Sequence, residues 1–311
     1  MSTHVNPEGD AIGSLLALTL GLESLGMTVY PVLAEPLPPL YAFLPGAERL
    51  TTTLPSTLPD LGIAVDCDGS GRLGSLEPAF LGLPELVDID HHASGRRFGT
   101  AHWVDPRAAA AGELVESLLR GLGVRFTPDM AQNLYAAIYT DTGRFSYSNT
   151  GPRALNAAAR MVRAGAQPVL IFRNLYESRP PAAVRLQGEA LRTLQLTDDG
   201  LVAWAVLTRE AFAAAGAERT DTEGIIEAVR TVRGIEVGIL FAEQADGTIR
   251  ASLRSRGRVD VARLALAFGG GGHPRAAGCT LPGPLPEATA RLVGAAHRAL
   301  QGEPGDGMAA H

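Results

Sequence analysis

The sequence predicts an α/β protein of two domains: a parallel-sheet N-terminal domain and a smaller α/β C-terminal domain with a mixed sheet, joined by a helical linker. Three observations predict it. The 311 residues exceed one typical domain of ~100–200. In the first half, short β-branched runs alternate with helical patterns, as in parallel sheets with crossover helices. After a proline-started helical stretch an α/β pattern restarts, now with a hairpin signal at Asp246-Gly247. The boundaries read from these shifts are 1–165, 166–195 and 196–311.

The elements follow in order. Ile12, Leu15, Leu16 and Leu20 recur at helical spacing and Gly26 stops the run, so 10–25 is a helix. Residues 28–33, 62–65 and 86–89 are apolar runs bounded by Gly, Pro or charge, as buried parallel strands are. Leu114, Val115, Leu118 and Leu122 line one face of a helix over 107–122. Thr127 caps a helix opened by Pro128 and running to about Thr140, and 150–164 is a further helix ended by Gly165. Residues 168–194 read as helical, punctuated by Pro168 and Pro180-Pro181. The second half predicts a strand over 201–207, a helix over 220–232, a hairpin of 235–242 and 248–253, and a helix over 259–268. A glycine run, a strand over 276–281 and a helix over 286–301 complete it, and the tail from Gly302 is expected to fray.

Composition narrows the function. Apolar residues at 46% and charged residues at 19% give a full core and exclude disorder. A net charge of −6 excludes a broad basic face for long duplex nucleic acid, although all 27 basic residues are arginine. Cys67 and Cys279 cannot build a disulfide framework or a Cys-only zinc site, and they suit a reducing cytoplasm. No apolar run approaches the ~20 residues of a membrane span, and no signal peptide is recognisable. A soluble cytoplasmic protein without a membrane partner is expected. The Ala-rich helices would serve a dimer interface as well as a core, and a homodimer is expected.

Acids and histidines gather where strands end in the first half. His4, Glu8 and Asp10 precede a helix; Asp66 and Asp68 end one strand; Asp88, Asp90, His91 and His92 end another; Asp141 follows a helix. Ligands bind at the carboxyl ends of parallel strands, so these turns converge on one crevice. Packing so much negative charge is costly unless cations neutralise it. Mixed N and O donors suit Mn²⁺, with Mg²⁺, Co²⁺ or Zn²⁺ as competitors. Gly69-x-Gly71-x-x-Gly74 fits a dinucleotide pattern, but Pro78 and Pro84 leave too little room for its helix, and a simple turn is expected.

The second concentration of chemistry is Phe268 to Gly278. Its four glycines, 269–272, read as a backbone nest that approaches an anion and not as packing residues. His273 and Arg275 add donors for phosphate or carboxylate, and Arg254 and Arg256 share a strand face upstream.

In this order the motifs resemble the DHH phosphoesterase superfamily. His4-Val-Asn-Pro-Glu8-Gly-Asp10 resembles its first motif, Val65-Asp66 its second, Asp90-His91-His92 its third, and Thr140-Asp141-Thr-Gly-x-Phe145 its fourth. The stretch from Gly270 to Gly278 resembles the hallmark of its associated C-terminal domain. The length is similar to that of the small bacterial branch, the NrnA-type nanoRNases, which degrade short oligoribonucleotides and dephosphorylate 3′-phosphoadenosine-5′-phosphate (pAp). The resemblance implies two Mn²⁺ ions. His4, Glu8 and Asp66 would hold one, and Asp10, Asp66, His91 and Asp141 the other. Asp90 would orient the ligand histidine, and His92 would reach the scissile phosphate. Arg254, Gly270, Gly271, Gly272, His273 and Arg275 would grip the substrate. Short RNA and pAp would thus be its partners.

Two departures stand out. The family has Asp where Glu8 stands, and a helix and full strand where only three residues precede His4. His4 is therefore expected on a frayed end, with part of the sheet missing. Three rival readings follow. One is a linear or cyclic dinucleotide phosphodiesterase. Another is a family II pyrophosphatase, whose C-terminal domain lacks the glycine–histidine stretch. The third is a catalytically weak nucleotide-binding module.

Overall fold

The computed structural model describes residues 1–93 and 96–302. The tail expected to fray lies, after Gly302, outside the described residues. The chain divides into two compact units, Met1–Ser178 and Arg179–His311.

The first unit opens with α1 (Gly9–Ser24) and continues with β1 (Leu61–Val65), α2 (Glu77–Leu81), β2 (Glu85–Asp90) and β3 (Ala101–Val104). Four helices follow: α3 (Ala111–Gly121), α4 (Pro128–Asp141), α5 (Pro152–Arg163) and α6 (Pro168–Tyr176). The strands form a parallel sheet in the order β1-β2-β3. Both of its faces are covered, which is why β1 and β2 read as near-continuous apolar runs. Ile63, Val65 and Ile89 face α1, α3 and α4 through Ile12, Leu15, Leu114 and Leu134. Ala64 and Leu86 face Leu73, Leu76 and Phe80.

Two expectations fail here. Residues 28–33 form no ladder strand, only an isolated bridge from Val32 to Thr51. His4 does not sit on a frayed end. Ser2 pairs in parallel with Ala64, its N–H donating to Ile63 O at 2.9 Å, and its carbonyl accepting from Val65 N at 3.0 Å. On the other side Val32 N donates to Met1 O at 2.9 Å. Three residues therefore run as a strand stub hydrogen-bonded on both sides, and His4 is only 6% exposed.

Close helix contact fixes the other wall. A Cβ on Gly9 would meet Thr140 at 2.5 Å, and one on Gly13 would meet Asn133 O at 2.5 Å. The two glycines, one turn apart, let α1 lie against α4 and bring Asp10 towards Asp141. At the α4 start Thr127 accepts from Met130 N at 3.3 Å, as the sequence predicts.

The second unit contains α7 (Pro181–Arg192), β4 (Gln195–Leu196), β5 (Val202–Leu207), α8 (Arg209–Ala215), α9 (Ile225–Arg230), β6 (Val237–Glu243), β7 (Ile249–Ser255), α10 (Val261–Leu266), β8 (Gly271–His273), β9 (Ala276–Leu281) and α11 (Leu285–Gln301). Its sheet runs β4-β5-β6-β7-β9-β8; β5 and β6 are parallel and the other pairs antiparallel. One face packs on α10 and α11 through Phe241, Leu253, Val261 and Leu292. The other packs on α7 and α9 through Leu240, Leu186 and Val229. The stretch read as a helical linker is shared between the units: Ile171 and Leu175 enter the first core, and Leu186 and Ala190 enter the second.

Candidate metal centre

The carboxyl ends of β1 and β2, the start of α1 and the end of α4 deliver the charged side chains. Asp66 follows β1 in the left-handed region at φ 60°, where a non-glycine residue is strained. Its N–H donates to Ile89 O at 2.8 Å, so the ladder holds the turn in place. The parallel pairing of Ser2 with Ala64 brings His4 alongside Asp66, at 3.5 Å from Nε2 to Oδ2.

His91 lies at the middle. Its Nε2 is 3.4 Å from Asp66 Oδ1, 3.7 Å from Asp10 Oδ2 and 3.7 Å from Asp141 Oδ2. His92 Nδ1 is 3.6 Å from Asp66 Oδ1. Ligand atoms of Asp66, His91 and His92 all lie within 4.8 Å of one another, and so do those of Asp10, His91 and Asp141. Five sequence-predicted residues from four segments therefore meet, with His91 in both groups.

Neighbouring backbone holds these side chains. Asp10 Oδ2 accepts from Ala111 N at 2.6 Å, and its Oδ1 accepts from Gly112 N and the Ser14 hydroxyl, each at 2.9 Å. A ligand carboxylate pinned in this way presents its remaining lone pairs in one direction. His91 Nδ1 faces Ala108 O at 3.3 Å, and His4 Nδ1 faces Val5 O at 2.9 Å. These contacts turn each Nε2 towards the pocket.

Asp90 does something other than the resemblance implied. Its Oδ1 accepts from His92 Nδ1 at 2.7 Å and from the His91 backbone N–H at 2.8 Å. It therefore orients the His92 imidazole, while a main-chain carbonyl orients that of His91. Glu8 stands apart. It is the exposed N-cap residue of α1 and belongs to neither close group, although its charge reaches Asp141.

The electrostatics are those of crowded acids. Burial raises the Asp10 carboxyl well above its usual range, and the Asp66 charge adds to the effect. Burial and the neighbouring acids, opposed by His91, leave Asp141 at about 6. Burial would also raise Asp66, but the His4 and His91 imidazoles outweigh it and hold that carboxyl well below the usual range. Burial opposes a charged His91, yet Asp66, Asp10 and Asp141 push it up to about 10. The buried Asp66 Oδ1 has no hydrogen-bond partner among the described residues. An orphaned carboxylate oxygen facing two imidazole nitrogens is what a divalent cation satisfies, and the mixed N/O donor set fits such an ion.

In the second unit, register aligns the other predicted residues. Arg254 pairs with Ala276, and Ala276 with His273, so Arg254 and His273 occupy one row of one sheet face. Arg254 Nε donates to Glu227 Oε1 at 2.7 Å, and Glu227 also pairs with Arg230 at 3.1 Å. His273 and Arg275 are exposed at the turn between β8 and β9.

The glycine run needs a correction. The sequence reads it as a backbone nest and not as packing residues. Gly271 and Gly272 instead lie in β8, paired with Gly278 and Ala277. A Cβ on Gly270 would meet Gly278 O at 2.2 Å, and one on Gly272 would meet Ala276 O at 2.6 Å. Two of the four glycines are thus required by close contact with β9; Gly269 and Gly271 face open space.

Family comparison agrees with this architecture. The model of the DHH family, N-terminal domain, matches residues 1–138, and that of the DHHA1 domain matches 202–302. The chain is 36% identical over 305 residues to the bifunctional oligoribonuclease and PAP phosphatase NrnA of Thermus thermophilus, covering 96% of this chain and 89% of that one. It is 26% identical over 288 residues to the protein of the same name from Bacillus subtilis, covering 89% and 87%. Among solved structures it resembles an exopolyphosphatase-related protein from Bacteroides fragilis, with a TM-score of 0.88 and 25% identity over 97% of this chain and 91% of that one. With four motifs in order, their side chains converging and both family domains matched, the chain belongs to the DHH phosphoesterase family.

Proposed function

We propose that this protein is a metal-dependent phosphoesterase that releases 5′-mononucleotides from very short RNA and removes phosphate from pAp. The observation that carries the reading is the convergence of Asp10, Asp66 and Asp141 on His91 Nε2, with the buried Asp66 Oδ1 lacking a hydrogen-bond partner among the described residues. The names of the Thermus and Bacillus relatives support the substrate class.

In this reading Asp10, His91 and Asp141 would hold one divalent cation, and His4 would serve the other, with Glu8 as the further carboxylate that the resemblance implies. Asp66 faces both. Mn²⁺ is the favoured ion. Bound there, the cations supply an activated water for attack on phosphorus and offset charge on the phosphoryl oxygens. The remaining work belongs to side chains. Asp90 holds Nδ1 of His92, whose own burial is outweighed by Asp90 and Asp66, so the imidazole stays protonated more readily than a free one. Its Nε2–H is then the donor to a phosphoryl oxygen as charge develops there. Arg254, His273 and Arg275, with the open backbone at Gly271, form the phosphate-recognising set of the second unit. Each charge-assisted contact adds roughly 1.5–3 kcal/mol, enough for a handful of arginines to hold a short oligonucleotide on an acidic protein. Both cysteines are buried free thiols, which supports a reducing compartment such as the cytoplasm.

A substrate panel tests the reading: pAp, pApA, and RNA and DNA of two to ten nucleotides, each with Mn²⁺ and Mg²⁺. The expected result is turnover of pAp and of RNA below about five nucleotides. Turnover of pApA alone would make the protein a dinucleotide phosphodiesterase, and no turnover of any substrate would overturn the assignment.

A further inference from the structure

One group of candidate ligands shares a support that no motif marks. The segment 108–112 orients two of them: Ala108 O faces His91 Nδ1 at 3.3 Å, and the N–H groups of Ala111 and Gly112 bind Asp10 at 2.6 and 2.9 Å. The third, Asp141, arrives separately at the end of α4. Asn149 joins them. Its Nδ2 donates to Ala109 O at 3.1 Å and to Asp141 O at 3.1 Å. A primary amide has two N–H bonds, and both are used. One side chain thus ties the end of α4 to the segment that aims His91 and Asp10.

The loop carrying Asn149 is built to hold it there. Arg144 and Phe145 lie in the left-handed region at φ 64° and 60°. Such residues persist only where the surroundings over-determine them. Here Arg144 N bonds Tyr139 O at 2.8 Å, Phe145 N bonds the Thr142 hydroxyl at 3.2 Å, and Tyr147 N bonds Thr142 O at 3.0 Å.

We propose that Asn149 is a positioning residue for the metal position formed by Asp10, His91 and Asp141, and not for the position that His4 serves. The proposal rests on the metal-centre reading above. Its selectivity follows from separate supports. His4 is aimed by Val5 O at 2.9 Å and bordered by Arg72 at 3.1 Å, and neither contact passes through Asn149. Losing Asn149 lets Asp141 drift from His91 while His4 and Asp66 keep their spacing.

The test is Mn²⁺ titration by calorimetry of the full chain, as wild type, Asn149→Ala and Asn149→Asp, with thermal melting of each metal-free form. Asp has nearly the shape of Asn but cannot donate these bonds, so it separates lost hydrogen bonds from lost volume. Wild type is expected to bind two ions. Both variants should weaken one binding step by about 10–100-fold, the usual effect of removing a group that orients a ligand. The other step should stay as in wild type, and the metal-free melting temperature should fall by no more than a few degrees, as for one or two lost hydrogen bonds. Unchanged isotherms in both variants, equal weakening of both steps, or wild-type binding by Asn149→Asp would overturn the proposal. A wild type that binds no Mn²⁺ would instead overturn the metal-centre reading on which it stands.

Discussion

The strand-end pocket of the first unit and the β7–β9–β8 face of the second treat charge in opposite ways. In the pocket, acids outnumber bases, Asp66 Oδ1 has no hydrogen-bond partner among the described residues, and Asp10 is pushed far from its usual range. On the sheet face, Arg254 pairs with Glu227, which in turn pairs with Arg230. An unbalanced buried site is costly until a cation enters it, whereas a balanced half-exposed one is stable alone and can exchange a carboxylate partner for a phosphate. The difference is the one that the proposed function needs, with chemistry in the first region and recognition in the second.

The strongest way to break that division is Asp66→Asn. It removes the carboxylate facing both histidines, and kcat on pAp should fall by about 10³-fold, the upper range for one electrostatic group, with circular dichroism unchanged. Activity near wild type would dissolve the distinction.

Acidity offers the next test. His91 is raised from 6.5 to about 10 in the folded, metal-free protein. Its protonated form therefore stabilises the fold below pH 6.5, and that contribution is lost as pH rises towards 10. Metal binding must displace the same proton. Apparent Mn²⁺ affinity should climb about tenfold per pH unit from pH 7 to 9, with proton release visible when calorimetry is repeated in buffers of different ionisation enthalpy. A flat profile would remove His91 from the ligand set.

Recognition should respond more mildly. Arg254→Ala should raise KM about tenfold with kcat little changed, as for one charge-assisted contact. Glu227→Gln releases Arg254 from its partner and should lower KM a few-fold. Opposite signs from two residues in one ion pair would sharpen the comparison, and equal losses would mean that the pair is structural.

The smallest effect separates packing from binding within the glycine run. Gly272→Ala puts a Cβ 2.6 Å from Ala276 O at φ +139° and should cost roughly 1–3 kcal/mol of stability, measurable by urea denaturation. Gly271→Ala meets open space, so its stability should stay within about 0.5 kcal/mol of wild type while KM rises.

Much of the fold was legible because periodicity and capping act locally. The α1 stripe, the Thr127 cap with Pro128, and the β6–β7 hairpin around Gly247 at φ 83° all lie in short windows. The convergence of Asp66 and His91 was legible from one topological rule, that parallel strands end at a common edge; Asp141, at the end of a helix, was placed there only by the motif order. What escaped depended on distant backbone. Ala101–Val104 is a short edge strand with three exposed residues, so it carries no core signal. Residues 28–33 look like a strand, but the sheet position beside β1 is taken by residues 1–3. Gly270 and Gly272 look like ligand residues until β9 is placed against them. Asn149 sits in a Ser-Asn-Thr triplet like that of any polar loop, and acquires meaning only when Ala109 and the end of α4 are brought within reach.

The most direct test is anomalous diffraction at the manganese edge from crystals grown with Mn²⁺. Two peaks are expected within bonding distance of the Asp66 carboxylate, one bordered by Asp10, His91 and Asp141 and the other by His4. An empty pocket at saturating Mn²⁺, or peaks only at surface carboxylates, would contradict it.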